Sequence, residues 1–500
     1  MYIGYDIKNG KKYAKICKSE RINGKVKTTQ IPLGRVINEE AGIYRNRKLG
    51  IFTYDLNTNT YGKPSASVII PPDFRANARE KLILDFGDVF FLDEYISKLG
   101  LYPAIDALRY GNHDSVRCLL MFYVLCNMAN YNAIDWLMAS YARILYPNAN
   151  LESQRISDLL EAVGDEGSIR AFFNEYKKLL IKNNESQDIL IDSTGLPNNI
   201  HMPITAVSNH NGNISNEVRL IYVVQQGSYM PLYFRCVPGN NVDVTTLKKT
   251  MLEMKGLNIK TQFAIMDAGY LSESNIKSLY DAKISFITRL PENRTLYKQI
   301  VADHLSTLKL NDENLTLYNS RFIHVKRIDC ELLKGHNGYA YLALDEDGEH
   351  TKSSRLASKG SKDKIPLGKL KELRRTNGVF ILVSSRPIAR EKIVEIYYTR
   401  QQIEQIFDLC KNDTNLLPLR VHSEDTLRGH LVLTFIAAVI VCKLQQALKD
   451  TDFTPDNALY CLGKHRCKVY DDFILPSEPN PKQRKLYELF GMEPKETYPA

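Results

Sequence analysis

Asp188-Ile-Leu-Ile-Asp192-Ser-Thr-Gly195 is a short apolar run that ends in a carboxylate followed by small residues. Helical periodicity precedes it and strand-like segments follow, so it marks the start of a new layer of structure. VRLIYVVQQ (218–226) and MPLYFRCV (230–237), separated by Gly227-Ser228, read as two further strands. Pro238-Gly239-Asn240-Asn241 then leads into a helix that Asp243 or Thr245 could cap. QFAIMDAGY (262–270) is a second continuous apolar run ending in an acid, Asp267, the pattern of a strand buried on both faces. Ser272 can cap the helix ESNIKSLYDAK (273–283), and KISFITRL (283–290) returns to strand. The order β-β-β-α-β-α-β describes a mixed sheet covered by helices.

Outward from this core, residues 80–182 carry apolar residues at three- and four-residue spacing, as in VRCLLMFYVLCNMANYNAIDWLMASYARILY. Ser153 and Ser157 are placed to cap the helix ISDLLEAVGDEGSIRAFFNEYKKLL. Residues 1–75 read as short strands and turns, with a hairpin signal at Ile22-Asn23-Gly24-Lys25 and a linker at Pro71-Pro72. On the other side, residues 291–385 are polar with strand-like pieces and a basic stretch, KSSRLASKGSKDKIPLGKLKELRR. A single long helix is expected from about 387 to 412, then an apolar helix over 425–448. The last fifty residues, rich in Pro, Lys and Tyr, carry no clear pattern, and there is no internal repeat.

The chain has 500 residues, room for two to four domains, and a net charge of +9. The cations cluster: residues 1–50 hold 12 Lys/Arg against 4 Asp/Glu, and residues 351–375 hold 9 against 2. Clusters of this kind suit a polyanion such as nucleic acid, though either could be a solvated surface. Nine Cys, with no CxxC pair, sit mostly in apolar stretches, which points to reduced thiols in the cytoplasm. Cys461, His465 and Cys467 lie close in sequence, but no second pair completes a metal knuckle. The N-terminus has no apolar signal core, and the longest apolar run, Leu431 to Cys442, is too short to span a bilayer and reads as a buried helix. No membrane partner is expected, and the cytoplasm of a prokaryote includes the nucleoid.

The segment Tyr397-Tyr-Thr-Arg400-Gln-Gln-Ile-Glu404-Gln-Ile-Phe-Asp-Leu-Cys-Lys411 is the most informative for chemistry. On an α-helix, Tyr397, Arg400, Glu404 and Lys411 fall within about 60° of one another. Ile396, Ile403, Phe407 and Cys410 form an adjoining apolar stripe. Taken alone, this is an amphipathic helix with ordinary exposed charges. Asp192 and Asp267 change that reading, because each ends an apolar strand, where core packing gives a carboxylate no role. Ligands gather at the carboxyl ends of strands in α/β sheets. Two carboxylates brought together there would repel, and a divalent cation removes the conflict. A third carboxylate from a helix on the sheet completes a site for two ions about 4 Å apart. Asp188 competes with Asp192, but lies roughly 13 Å away along an extended strand.

Y-x2-R-x3-E-x6-K resembles the signature of bacterial insertion-sequence transposases of the DDE type, and Tyr397, Arg400, Glu404 and Lys411 match all four positions. ILIDSTG and IMDAGY resemble that family's first and second Asp motifs, and GHLVLTFIAAVIV the helix that commonly follows. The likeness covers roughly residues 80–445. It implies an RNase H-like core (183–290 and 386–450) interrupted by a β-rich insertion (291–385), in a multidomain α+β protein. A small β-rich basic N-terminal domain (1–75) and a helical DNA-binding domain (80–182) precede the core. Residues 451–500 are left for dimerisation or DNA contact.

The resemblance further implies metal-dependent cleavage at transposon ends and strand transfer into target DNA by a cut-and-paste route. Asp192, Asp267 and Glu404 would hold two Mg²⁺ ions, with Mn²⁺ as substitute. Arg400 and Lys411 would hold phosphates beside the scissile bond, while Tyr397 would bond a phosphate or pack under the strand. Lys362, Lys364, Lys369 and Lys371 are expected to grip the backbone flanking the cut, and an aromatic from 291–385 to support a displaced base. Relatives that form a DNA hairpin stack a flipped base on an aromatic, commonly Trp. The single Trp here, Trp136, falls in the helical region and reads as a core residue. The partners implied are duplex DNA with terminal inverted repeats, target DNA and a second copy of the chain. The alternatives are a metal-dependent nuclease or resolvase on the same core, and a non-catalytic transposase-derived DNA-binding protein.

Overall fold

The computed structural model describes residues 1–8, 11–22, 25–46, 49–64, 82–182, 188–200, 202–210, 213–241, 243–351, 353–354, 366, 370, 374–414 and 416–499. The chain is a mixed α+β protein that divides into two compact units, one of residues 1–83, 468–475 and 496–500, the other of 84–467 and 476–495.

In the first unit β1 (Tyr2–Lys8), β2 (Lys11–Ile22), β3 (Lys25–Asn38), β4 (Ile43–Asn46), β5 (Gly50–Asp55) and β6 (Thr60–Gly62) pair in chain order as an antiparallel sheet. One face closes over Ala14, Ile16, Leu33, Tyr44, Phe52 and Tyr54. Gly34 has φ +110°, and a Cβ there would meet the Arg45 carbonyl oxygen at 2.1 Å, so the β3–β4 crossing requires glycine. Ile22 of β2 pairs with Lys25 of β3. Asn23-Gly24, expected as the hairpin turn, and Pro71-Pro72, expected as a linker, lie outside the described residues.

The second unit begins at Leu84, within β7 (Leu82–Asp85), and continues in a run of helices: α1 (Gly87–Leu99), α2 (Tyr102–Asp106), α3 (His113–Leu125), α4 (Ala133–Ala139), α5 (Ala142–Leu145), α6 (Ser153–Gly164) and α7 (Glu166–Lys182). The expected Ser caps of α6 are not used. Glu152 stands at its N-cap without a side-chain bond, and Ser157 turns its hydroxyl onto the Ser153 carbonyl.

The sheet of this unit has ten strands. β8 (Asp188–Pro197) lies between β10 (Asn213–Gln225), antiparallel, and β12 (Phe263–Met266), parallel. Beyond β10 come β11 (Pro231–Pro238) and β9 (Ala206–His210), both antiparallel to it. Beyond β12 lies β13 (Ser285–Arg289), parallel. All four residues of β12 are buried, as its unbroken apolar run requires. α8 (Asp243–Gly256), α9 (Glu273–Asp281) and α10 (Thr295–Leu308) contribute Leu247, Met254, Ile276, Leu279 and Ile300 to one core with Ile189, Ile191, Ile221 and Val223 of the sheet.

Residues 291–385 correct the expectation of a separate β-rich insertion. The segment opens with α10, and its strands β14 (Leu315–Tyr318), β15 (Arg321–Leu333), β16 (His336–Asp345) and β17 (Val379–Ser384) continue the same sheet in the order β13-β17-β16-β15-β14. The reason is visible in VFILVS, whose six residues are all buried. A strand apolar on both faces belongs inside a covered sheet, not in a small separate layer.

Below the sheet runs α13 (Glu424–Leu448), opened by a capping box between Ser423 and Thr426. It is long and apolar enough to cross a membrane by length and composition, yet most of its apolar stretch is buried within the protein, against α3, α6 and β11. Its crossing with α6 is backbone to backbone: a Cβ on Gly429 would meet the Leu160 carbonyl oxygen at 1.9 Å. Of the last fifty residues, α14 (Pro455–Gly463) packs on α1 and α15 (Pro481–Leu489) packs on α14. Lys98 donates to the carbonyls of Phe490 (2.7 Å) and Gly491 (2.8 Å), and Phe490 stands edge-on to Phe91.

Candidate active site

β8 alternates, so Leu190, Asp192 and Thr194 face one side of the sheet and Ile191, Ser193 and Gly195 the other. The side of Asp192 is covered by the segment expected as one helix over 387–412. It is two helices, α11 (Arg390–Tyr398) and α12 (Gln401–Asp413). Between them the backbone stays helical but tightens: the N–H groups of Arg400, Gln402 and Ile403 bond to carbonyls three residues back. α12 is fixed to the sheet by Phe407, stacked on Tyr222 at 5.5 Å, and by Cys410, whose sulfur lies 3.6 Å from the Tyr222 hydroxyl. Tyr222 is the cross-strand neighbour of Asp192.

The tight turn aims Arg400 into the site. Its guanidinium pairs with Asp192 Oδ2, with Glu404 Oε1 at 3.3 Å and with Asp267 Oδ1 at 3.8 Å. Asp267 follows β12, and its backbone is held by Thr288 Oγ1 donating to its carbonyl at 3.0 Å. Three carboxylates from three elements thus meet one cation. They lie at graded depth, with side-chain exposures of 11 % for Asp192, 40 % for Asp267 and 56 % for Glu404. Burial pushes the Asp192 carboxyl up to about 6; Arg400 and the Ser193 N–H oppose this, while Asp267 and Asp243 add to it. Burial works against the charge of Arg400, but Asp192 and Asp267 outweigh it and hold its pKa above the ordinary value. The Arg400 Nε is buried without a hydrogen-bond partner.

The other expected residues lie around this point. Tyr397 is buried at the end of α11, where burial, then the nearby Asp267, push its hydroxyl up to about 12. Lys411, half-buried, donates to Thr194 Oγ1 at 2.6 Å, and burial lowers its pKa. Asp188 opens β8 opposite Phe263, four residues from Asp192. Lys362, Lys364, Lys369 and Lys371 lie outside the described residues. Trp136 packs on Phe122 at 5.8 Å and is only partly buried, less enclosed than the core position expected of it. A different aromatic pair adjoins Tyr397: Tyr318 of β14 stacks on Tyr398 of α11 at 5.3 Å, with Tyr397 edge-on to Tyr398. His465 does not form a metal knuckle; its nitrogens face the Tyr487 hydroxyl (2.8 Å) and the Ser477 carbonyl (2.6 Å).

Among the described residues, no three His, Cys, Asp or Glu side chains are grouped tightly enough as they stand to hold a metal ion. Asp192, Asp267 and Glu404 are joined through Arg400 instead. Their donor set is nonetheless all oxygen and carries three negative charges against one positive. That excess fits a hard divalent cation, provided Arg400 turns aside.

The profile described as "Transposase DDE domain" matches residues 184–440, just over half of the chain, from the approach to β8 into α13. The chain belongs to the DDE transposase family. It is accordingly a DNA transposase, and all three carboxylates of the site lie within the matched region. Among solved structures, this DDE transposase is similar to a chain in the cryo-EM structure of a piggyBac transposase synaptic complex with hairpin DNA. The identity is 13 %, the TM-score 0.37, and the match covers 75 % of this chain and 78 % of that one. No curated protein matches the transposase sequence.

Proposed function

We propose that this transposase is of the bacterial insertion-sequence type, cuts at transposon ends and joins them to target DNA, with Asp192, Asp267 and Glu404 holding two divalent cations, Mg²⁺ or Mn²⁺. The observation that carries the reading is the meeting of these three carboxylates on one guanidinium, which leaves a charge of −2 for cations to offset. When bound, such ions supply Lewis-acid activation of the phosphodiester and its attacking oxygen. The chain's own groups do the rest. Asp192, deepest and nearly fixed, sets the floor of the site; Glu404, at the mouth, can adjust to the substrate. Arg400 serves as counter-charge until cations arrive, and is then free to meet a phosphate. Lys411, about 10 Å along α12 from Glu404 at 1.5 Å per residue, is placed for the next phosphate.

The spacing Tyr397, Arg400, Glu404, Lys411 supports the insertion-sequence assignment. The strand order β11-β10-β8-β12-β13, with two antiparallel and then two parallel pairings, supports an RNase H-like core. End recognition is assigned to residues 1–75 and 80–182, and the grip on flanking DNA to the basic stretch 352–375 with Lys362, Lys364, Lys369 and Lys371. The Tyr318–Tyr398 stack is the aromatic surface offered to a displaced base. The active assembly is a homodimer on two ends. The test is cleavage of a duplex carrying the terminal inverted repeat, found by sequencing the DNA flanking the gene. Glu404→Gln should bind this duplex and leave it uncut in Mg²⁺. Cutting at the wild-type rate, or undiminished activity after full chelation, refutes the reading.

A further inference from the structure

The opposite face of β8 carries a second polar cluster. Asp243, the first residue of α8, accepts from Ser193 Oγ at 2.5 Å and from Arg219 Nη1 at 3.1 Å, both at Oδ1. Its Oδ2 lies against Gly269, where a Cβ would come within 3.0 Å. Arg219 and Glu217, both buried on β10, pair at 3.5 Å, and a Cβ on Gly195 would strike the Glu217 carboxylate at 2.3 Å. Asn275 of α9 donates to the carbonyls of Val244 (2.9 Å) and Tyr270 (2.8 Å), tying the start of α8 to the loop after Asp267. Ser193, the partner of Asp243, gives its backbone N–H to Asp192 Oδ1 at 2.8 Å. The start of α8 therefore touches both segments that carry the aspartates of the site.

We propose that Asp243 is a positioning residue for Asp192 and Asp267, acting through Ser193 on one side and the loop 268–270 on the other, with Arg219 fixing Asp243 in turn. This rests on the reading of Asp192 and Asp267 as metal-holding carboxylates. Groups behind the ligands of a metal site commonly set its affinity, because they fix the direction of the first ligands. A buried ion pair that merely holds α8 on the sheet would affect folding and leave ion affinity alone.

Two variants separate these roles. Ser193→Ala removes the link and leaves the Arg219–Asp243 pair; Asp243→Asn keeps an acceptor and removes the charge. Mn²⁺ affinity, read by the electron paramagnetic resonance of the free ion, should fall about 10–100-fold in each, with cleavage falling alongside and the thermal midpoint of Ser193→Ala little changed. The double variant should be no worse than the poorer single one, since both break one chain of contacts. Asp192→Asn is the control. If it binds Mn²⁺ and cuts like the wild type, the reading of the site fails. If it is inactive while both variants keep wild-type Mn²⁺ affinity, the positioning role is overturned. It is equally overturned if affinity falls only in proportion to the unfolded fraction.

Discussion

Arg400 and Arg219 stand on opposite faces of the β8–β10 strand pair, each ringed by acids, and differ in what they leave unbalanced. Around Arg219 the side chains are closed off, with exposures of 6 % for Arg219 and Glu217 and 16 % for Asp243. Two carboxylates share one guanidinium there, and Ser193 gives Asp243 a further hydrogen bond. Around Arg400 three carboxylates share one guanidinium, and the outer two are 40 % and 56 % exposed. The closed cluster is part of the scaffold; the open one keeps a demand for positive charge and a path from solvent to meet it. Buried ion pairs contribute geometry more readily than net stability, so the two clusters should fail in different ways when broken.

The largest effect belongs to the open cluster. Asp192→Asn, Asp267→Asn and Glu404→Gln should each reduce cleavage by roughly 10³-fold or more, the several kcal/mol expected of a metal-held site. DNA affinity, measured by filter binding in chelator, should stay nearly unchanged. A cleavage loss below tenfold in any of the three would remove that residue from the site.

Exchanging the arginines tests the contrast itself. Arg219→Met leaves two buried carboxylates without their cation and should lower the unfolding free energy by about 3–5 kcal/mol in urea titration. Arg400→Met should cost clearly less, because water reaches Asp267 and Glu404, and Asp192, already raised to about 6, can take up a proton. Equal losses, or a larger one at Arg400, would break the distinction between scaffold and site.

These clusters also mark how far the sequence could be read. Asp192 and Asp267 are legible because an acid that ends an apolar strand has no packing role, and the Tyr397–Lys411 spacing stands on one line. The split of that line into α11 and α12 was not legible: Thr399 and Arg400 keep helical dihedrals, and only the hydrogen bonds shorten. Nor was the placement of β14–β17 on the core sheet, since pairing across some ninety residues leaves no local trace. Asp243 looked like a helix cap by its position, and its carboxylate turned out to face Ser193 and Arg219. The one hint was its company: Glu217 and Arg219 alternate where the polar start of β10 gives way to its buried apolar run, and charges there need a partner.

A third buried polar group sharpens the contrast by having no carboxylate at all. His430 of α13 lies between the Tyr123 hydroxyl (2.7 Å) and the Leu416 carbonyl (3.2 Å). Burial pushes it down to about 4, with the Leu416 carbonyl opposing. An unfolded His takes up its proton near pH 6.5, before the folded one does. The stability from this group is therefore full above pH 6.5, declines as pH falls, and is lost through pH 4, by up to about 3 kcal/mol. Urea titrations of the wild type and His430→Gln at pH 7.5 and 4.5 should show a steeper loss in the wild type. Parallel losses would mean that His430 is protonated in the fold.

The smallest effect should come from Lys411, which shares the Asp192 face but none of its ion pairs. Its Nζ bonds only a hydroxyl, Thr194 Oγ1, among the contacts described, so its charge is left for a ligand while its stem is half-buried. Lys411→Met keeps the stem and removes the charge. Stability should change little, since one neutral-acceptor bond at a half-buried site is worth about 1 kcal/mol. DNA affinity should fall modestly, and the slope of log affinity against log salt should flatten by up to about 0.9, the value of one phosphate contact. Sequence preference should not change, because a phosphate contact positions the duplex without reading it. A changed preference among end sequences at constant salt slope would instead make Lys411 a base-reading residue, and would move DNA recognition onto α12 itself.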